Sequence, residues 1–241
     1  MSDFWQDLIS QINRSFIVDN RWRFIVEGVG NTLTITFFAL ILGTIIGVII
    51  AAVRSSWDRT SQAIPRGPAK FIFGFFNILC KVYLTIIRGT PIMIQLMIIF
   101  FVIMTATDKM IVAIIAFGIN SGAYVAEIVR SGIMSVDAGQ FEAGRSLGFN
   151  YIHTMRLIVL PQAFKNILPA LANEFIVLIK ETAIAGVIGV TDLTRGANII
   201  RGVTFQSFVP LTTVALIYLL MVMFFTWLVG KLERRMRSSE R

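Results

Sequence analysis

Residues 28–53, GVGNTLTITFFALILGTIIGVIIAAV, decide the fold class of this chain, because they contain no charged residue. Glu27 and Arg54 bracket the run. A transmembrane α-helix needs about 20 predominantly apolar residues, whereas a strand of a membrane β-barrel needs only about 9–11. The run is therefore too long for a barrel strand. It predicts a first membrane-spanning helix, span one, over residues 29–53.

The composition of the rest of the chain extends this prediction. Charged residues make up 15% of the 241 residues and hydrophobic residues 56%, with a mean hydropathy of +0.76. A soluble domain usually has about 25% charged residues. In a bilayer every backbone polar group must bond within the protein, so helices are the expected spanning elements. We therefore expect an all-α, polytopic membrane protein with about five transmembrane helices.

The five predicted spans follow from the uncharged runs and the polar segments that separate them. The segments are span one at 29–53, a loop at 54–70, a partly interfacial helix at 71–87 that runs into span two, the remainder of span two at 89–107, span three at 110–131, a polar segment at 136–165, span four at 166–190, a polar loop at 191–210 and span five at 211–230. The predicted organisation is thus an extracytoplasmic N-terminal segment (1–28), a transmembrane domain (29–230) and a basic tail (231–241).

The distribution of basic residues predicts the orientation. Residues 54–70, residues 130–165 and the tail together account for the whole net charge of +8, while the segments of the opposite side sum to zero. Cytoplasmic loops carry the excess of Lys and Arg, so the N-terminus is expected outside and the C-terminus in the cytoplasm. Because topology accounts for the positive charge, we expect membrane lipid around the chain and no nucleic-acid partner.

Several kinds of site are excluded by the residue inventory. Cys80 and His153 are the only cysteine and histidine, so no Cys-based or His-rich metal centre is expected. Gly230-Lys231 is followed by Leu232, where a P-loop requires Ser or Thr. We expect no catalytic residue, no metal ligand and no ATP-binding motif in this chain.

The polar segment 136–165 is unusually long for a loop in a small helical membrane protein. Helical spacing predicts a short helix over residues 140–147, which Gly148 would end. A second short helix is expected from about Tyr151, ending before Pro161. Two interpretations of this pair of helices are open, a lid that packs on its own spans or a docking surface for a cytoplasmic partner.

The spacing of residues in this segment resembles the EAA loop of ABC-importer permease subunits, whose pattern is E-A-A, three residues, G, nine residues, I-x-L-P. The match consists of Glu142-Ala143-Gly144, Gly148 and Ile158-Val159-Leu160-Pro161, with Gly144 in place of the usual second alanine. The resemblance implies a cytoplasmic coupling helix that contacts an ATPase subunit. The residues implied in coupling are Glu142, Ala143, Gly144, Arg145, Gly148, Leu160 and Pro161.

Further stretches are similar to the polar amino acid uptake branch, the histidine/glutamine permease type. They are Arg88-Gly89-Thr90-Pro91, residues 120–133, Lys180-Glu181-Thr182 and Val187-Ile188-Gly189. The resemblance implies a type I ABC importer fold in a bacterial inner membrane and a small polar amino acid as substrate. It implies three kinds of partner: a second permease copy or paralogue, cytoplasmic ATPase subunits that bind ATP and Mg²⁺, and an extracytoplasmic substrate-binding protein.

Polar residues at membrane depth are the candidates for a substrate pathway, because such residues are costly and face a bundle interior or water. Helical periodicity places them in stripes on spans three and four, and others flank the Gly89–Pro91 break. The candidates are Arg88, Thr90, Gln95, Asn120, Tyr124, Glu127, Asn173, Glu174, Lys180 and Glu181.

These stripes have a second interpretation, in which Glu127 or Glu174 pairs with Lys180 or Arg88 and holds helices together. An ion-coupled secondary transporter or channel is the alternative function, but it leaves the EAA-like spacing unexplained. Which amino acid is carried, and whether the second permease is a copy or a paralogue, stay open at this point.

Overall fold

A computed structural model describes residues 2–62 and 64–237, and every regular element in these ranges is helical. The α-helices are α1 (Ser2–Ile12), α2 (Trp22–Thr60), α3 (Pro68–Gly89), α4 (Ile92–Ile98), α5 (Lys109–Met134), α6 (Ala138–Ser146), α7 (Tyr151–Thr154), α8 (Leu160–Glu181), α9 (Leu193–Thr204) and α10 (Phe208–Arg237). Wider π-helical turns follow α1, α4 and α7, and 3₁₀ turns cover Val18–Asn20 and Thr182–Ile188.

Within the described ranges, four helices are long and apolar enough to cross a membrane, namely α2, α3, α5 and α10. The prediction of an all-α polytopic membrane protein is therefore confirmed. The expected span four corresponds to α8, which is 22 residues long. It does not meet the same criterion, because Lys165, Glu174, Lys180 and Glu181 interrupt its apolar sequence.

The boundaries of the first two spans differ from the prediction. The loop expected at 54–70 begins later, because α2 continues through Thr60. Arg54 supports this extension by an ion pair to Asp58 one turn on, at 3.9 Å, and by donating to Asn77 Oδ1 at 3.0 Å. The segment expected to be a partly interfacial helix, 71–87, lies within α3, which is long and apolar enough to be a span by itself, and residues 92–103 form a shorter apolar helix.

The break between these two helices lies where it was expected. Thr90 is extended, with φ −124° and ψ 146°, and its hydroxyl donates to Ile86 O at 2.8 Å. Pro91 explains the break, because proline lacks an N–H and disfavours helical conformation at the residue before it. The interruption at Arg88–Pro91 is therefore confirmed.

The chain divides into two compact units, each built from separate stretches. The described residues of the first unit are 2–39, 92–117 and 175–228, and those of the second unit are 40–91, 118–174 and 229–237. The long helices α2, α5, α8 and α10 each contribute one part to each unit.

The first unit contains a helix where the sequence predicted only a polar loop. Residues 191–210 include α9, which starts at the N-cap Asp192 and buries Leu193, Ala197 and Ile200 against Ile25 and Val214. Apolar residues recur at i, i+4 and i+7 in this stretch, but its glycines and charges obscured the pattern. The prediction of a loop was wrong because this apolar face finds its cover in residues distant in sequence.

Asp192 holds several backbone groups of the first unit together. Its carboxylate accepts the N–H of Arg195 at 2.6 Å and that of Gly186 at 2.7 Å. Burial raises the pKa of Asp192, and these N–H groups oppose the effect. Gly28 of α2 packs against the same backbone, where a Cβ atom would lie 2.7 Å from Leu193 Cα.

In the second unit α2 and α5 approach closely through glycines. Gly43 and Gly47 lie four residues apart on α2, and Gly118 and Gly122 lie four apart on α5. A Cβ atom on Gly47 would lie 2.6 Å from Val125 Cγ1, so only glycine fits there. This small-xxx-small arrangement is the pattern by which helices pack closely in membranes.

Candidate functional site: the short helix pair and the charged cluster

The short helix predicted over residues 140–147 is present as α6. Asp137 caps its start by accepting the N–H of Gly139 at 2.7 Å. At its end Gly148 has φ +78°, and its N–H donates to Arg145 O at 2.9 Å. Glycine adopts this left-handed conformation without steric cost, which is why the helix stops there. The prediction of a helix over 140–147 that ends at Gly148 is confirmed, with a start two residues earlier.

The residues of α6 that resemble the EAA pattern divide into an outer and an inner set. Glu142, Ala143 and Arg145 are exposed, whereas Gly144 is buried. The buried glycine faces Thr154 of α7, and a Cβ atom at residue 144 would lie 2.6 Å from Thr154 Cγ2. The exposed residues therefore form a surface available to another molecule, and Gly144 is the packing side of the helix.

The connection between α7 and α8 differs from the prediction. The second short helix was expected to end before Pro161, but helical geometry continues from Tyr151 into α8. A π-helical turn over Met155–Val159 precedes the proline, and Leu160 N–H donates to Met155 O. This wider turn shifts the hydrogen-bond pairing just before a residue that has no N–H to donate, so the helix is not broken. Leu160 and Pro161 are both exposed.

One contact to this helix pair was not foreseen from the sequence. Arg59, near the end of α2, lies over the ring of Phe141 in α6. The contact was missed because residues 54–70 were predicted to form a loop. In the structure α2 continues through Thr60, so Arg59 lies on a defined face of a helix. The i, i+4 pair Arg54 and Asp58 was the sequence signal for that continuation.

Three of the candidate pathway residues come together in the second unit. The Arg88 guanidinium lies 4.0 Å from Glu127 Oε1, and its Cζ lies 5.7 Å from the centroid of the Tyr124 ring. Arg130 donates to Glu127 Oε2 from Nη2 at 3.0 Å and from Nε at 3.2 Å. Glu127 therefore has two arginine partners, one of which, Arg88, was expected.

A cavity of about 460 Å³ lies beside this charged cluster. Its lining includes Arg54, Lys81 and Thr85 together with Arg88 and Glu127. The volume is in the range of small-molecule sites, and the lining is dominated by charged and polar groups. Cations outnumber anions in it, so the cavity suits a ligand with a carboxylate.

Other pathway candidates in the second unit are placed differently. Glu174 is buried and accepts a hydrogen bond from the Ser121 hydroxyl at 2.8 Å, which joins α8 to α5. Asn120 is also buried, whereas Asn173 is exposed. Glu174 thus makes an interhelical contact of the kind that the second interpretation expects, and Ser121 is a partner that the sequence did not suggest.

The remaining candidates belong to the first unit. Gln95 is buried in α4, Lys180 is exposed in the last turn of α8, and Glu181 is half-buried at its end. A 3₁₀ turn over Thr182–Ile188 follows, ending at Gly189 with φ +85°. The helix therefore changes type directly after Glu181.

Comparisons with known proteins agree with this architecture. The sequence profile of the family described as "Binding-protein-dependent transport system inner membrane component" matches residues 67–238. The chain is 38% identical over 221 residues to the arginine transport system permease protein ArtQ of Bacillus subtilis, covering 90% of this chain and 94% of that one. It is 35% identical over 221 residues to the glutamine transport system permease protein GlnP of Escherichia coli, covering 88% and 93%.

Solved structures give the same result at the level of the fold. A chain of an amino acid ABC transporter, in a crystal structure described as containing histidines, is similar with a TM-score of 0.79 and 40% identity over 91% of this chain and 98% of that one. A chain of the MetNI methionine ABC transporter in an inward-facing conformation has a TM-score of 0.73 at 21% identity, a likeness of fold alone. On the profile match and the identity to these relatives, the chain belongs to the family of inner membrane components of binding-protein-dependent transport systems.

Proposed function

We propose that this chain is the permease subunit of an ATP-driven importer that moves a polar amino acid from outside into the cytoplasm. In this proposal α6 docks on a cytoplasmic ATPase subunit and passes its movement to the membrane-spanning helices. The observation that carries the proposal is the exposed surface of α6, where Glu142, Ala143 and Arg145 stand outward on a helix with defined ends at Asp137 and Gly148.

The physical argument concerns rigidity and charge. A coupling element must keep its shape while its partner opens and closes, and the cap, the αL glycine and the Gly144–Thr154 contact all stiffen α6. Exposed charges of both signs, as in Glu142 and Arg145, give specificity at interfaces that form and separate.

The substrate class rests on relatives and on the charged cluster. The names of the similar proteins above include the words arginine, glutamine or amino acid. The cavity beside Arg88 and Glu127 has groups of both charges, which suits the carboxylate and the ammonium of an amino acid. We infer that the cavity is part of the pathway for a polar amino acid.

The partners and the orientation follow from the same proposal. A second permease, either a copy or a paralogue, an ATPase subunit that binds ATP and Mg²⁺, and an extracytoplasmic substrate-binding protein complete the importer. The basic segments, among them the one that contains α6, face the cytoplasm and the N-terminus lies outside. This side is the one from which an ATPase can reach α6.

Reversal of the charge at Glu142 tests the coupling role. Glu142→Lys is expected to insert into the membrane normally and to abolish uptake, while the reconstituted complex still hydrolyses ATP. Glu27→Lys, a charge reversal at another exposed glutamate, in the first unit, serves as the control and should transport normally. Normal uptake by Glu142→Lys would overturn the proposal.

Co-purification separates the proposed importer from an ion-coupled transporter. The chain, expressed with its neighbouring subunits and solubilised in mild detergent, is expected to bring down an ATPase. Uptake into vesicles should require ATP inside and persist when ion gradients are collapsed. Uptake that follows a proton or sodium gradient without ATP would favour the alternative.

A further inference from the structure

The end of α2 is joined to the coupling helix by a stack of side chains. Arg59 Cζ lies 3.9 Å from the centroid of the Phe141 ring, within the range of a close cation–π contact. Phe141 also stacks on Tyr151 of α7, with ring centroids 6.4 Å apart and planes 20° apart. Three helices, α2, α6 and α7, are therefore connected through one aromatic ring.

The polar atoms of this stack show that the ring faces are its main contacts. Arg59 donates from Nη2 to Ile133 O at 3.4 Å, a long hydrogen bond to the end of α5. Arg59 Nε and the Tyr151 hydroxyl are buried without a hydrogen-bond partner in the described part of the chain. A guanidinium placed in this way relies on the aromatic face for much of its stabilisation, because its own donors are incompletely used.

The position of the stack gives it a mechanical consequence. Along the chain, α6 lies between α5 on one side and α7 and α8 on the other, so these helices are its neighbours in sequence and α2 is not. Phe141 also packs with the buried cluster that contains Ala51 of α2, Val129 of α5 and Val159 before α8. The Arg59–Phe141 contact therefore ties α6 to a span to which it has no direct chain connection.

We propose that Arg59 and Phe141 are positioning residues that transmit displacement of the coupling helix to α2. When the ATPase moves α6, the stack carries the cytoplasmic end of the first span along with it, so that α2 moves together with α5 and α8. This inference rests on the coupling role proposed for α6. It assigns to Arg59 a part in transport that the EAA-like pattern does not include.

The test compares variants in the reconstituted importer by the amount of substrate transported per ATP hydrolysed. Phe141→Leu keeps apolar bulk and removes the ring face, and Arg59→Gln removes the cation. Both are expected to lower the ratio about fivefold, equivalent to ~1 kcal/mol at 25 °C, the scale of a cation–π contact. Phe141→Trp and Arg59→Lys keep a ring face and a cation respectively and should retain most of the ratio.

Tyr151→Phe is the matched control, because it removes only a hydroxyl that has no partner in the described residues. It should leave the ratio unchanged. Thermal unfolding of each purified variant, and co-purification of the ATPase, separate loss of coupling from loss of folding. A Phe141→Leu variant that assembles and transports with the wild-type ratio would overturn the inference.

Glu142→Lys in the same assay distinguishes failure of this inference from failure of the proposed function. If Glu142→Lys uncouples while Phe141→Leu and Arg59→Gln do not, α6 is a coupling helix and the stack has no part in transmission. If neither set of changes affects the ratio, the coupling role of α6 itself is wrong, and the inference fails with it.

Discussion

Gly144 of α6 and Thr154 of α7 are in such close contact that a Cβ atom at residue 144 would lie 2.6 Å from Thr154 Cγ2 and 2.7 Å from its Oγ1. The pattern that this segment resembles has alanine at the position of Gly144. In this chain the β-branched side chain of Thr154 occupies the space that the alanine methyl group would need. The glycine and the threonine are thus a complementary pair.

Alanine at residue 144 is expected to destabilise the helix pair and smaller side chains at residue 154 to restore it. Gly144→Ala should lower the free energy of unfolding by ~1–3 kcal/mol through overpacking. Adding Thr154→Ala removes the two nearest atoms and leaves Thr154 Cβ, which would be 3.2 Å away. Thermal unfolding of the two single variants and the double variant measures the coupling between the sites. Purely additive effects would contradict the predicted contact.

The glycines of α2 should differ sharply in their tolerance of alanine. Gly47→Ala places a methyl group 2.6 Å from Val125 Cγ1 and 2.8 Å from Ala126 N, so α2 and α5 must separate. We expect a loss of ~1–3 kcal/mol in stability and a lower yield of folded protein. Gly30→Ala is the control on the same helix, since nothing lies within 4 Å of its Cβ position. It should be neutral or stabilise by up to about 1 kcal/mol. Equal behaviour of the two variants in a thermal unfolding assay would refute the close packing.

Two aspartates that cap helices allow the effect of burial to be separated from that of capping. Asp192 is fully buried and accepts two backbone N–H groups, whereas Asp108 is exposed and accepts the N–H of Met110 at 2.8 Å. Asp108→Ala should cost ~1 kcal/mol, the usual value of an N-cap. Asp192→Ala should cost about 2–4 kcal/mol, because a buried N–H is left without an acceptor as well. The unfolding temperatures of the two variants should rank in that order, and a reversed order would show that Asp192 is not the anchor of its unit.

The charged cluster around Glu127 allows two roles to be distinguished, a part in the substrate pathway and the pairing of helices. Glu127 and its arginine partners are part-exposed, and such pairs contribute ~1 kcal/mol or less to stability. Glu127→Gln is therefore expected to leave the unfolding temperature nearly unchanged and to raise the KM for uptake. Ser131→Ala, one turn further along α5, is the control. If uptake kinetics also stay unchanged in Glu127→Gln, Asn120→Ala and Glu181→Gln, the polar stripes serve helix pairing and not the substrate.

Substitution of Glu174, unlike that of Glu127, is expected to lower the stability of the protein. Glu174 is buried and bound to the Ser121 hydroxyl, so Glu174→Leu should leave Ser121 without its acceptor and lower stability by about 1–3 kcal/mol. Glu174→Gln keeps an oxygen that can accept this hydrogen bond and should retain most of the stability. A circular dichroism melt of the two variants in detergent distinguishes them, and equal melts would contradict the Ser121 contact.

The sequence by itself determined the features that depend on neighbouring residues. The uncharged run at 28–53, the break at Pro91 and the end of α6 at Gly148 all follow from hydropathy, 3.6-residue periodicity or the properties of glycine and proline. The same local rules failed where a distant contact decides the outcome. They missed α9, whose apolar face is covered by Ile25 and Val214, and they ended a helix at Pro161 that a π-helical turn carries through.

Only the tertiary structure decided which residues meet. It paired Gly144 with Thr154, Arg59 with Phe141 and Glu174 with Ser121, and it gave Glu127 a second arginine besides the expected one. The physical reason is that a contact between helices depends on the volume and rotation of both faces, and glycines at Gly43 and Gly47 set how closely α2 and α5 approach. A pattern along one helix gives the direction in which a side chain points, and the approach of the other helix decides what it touches.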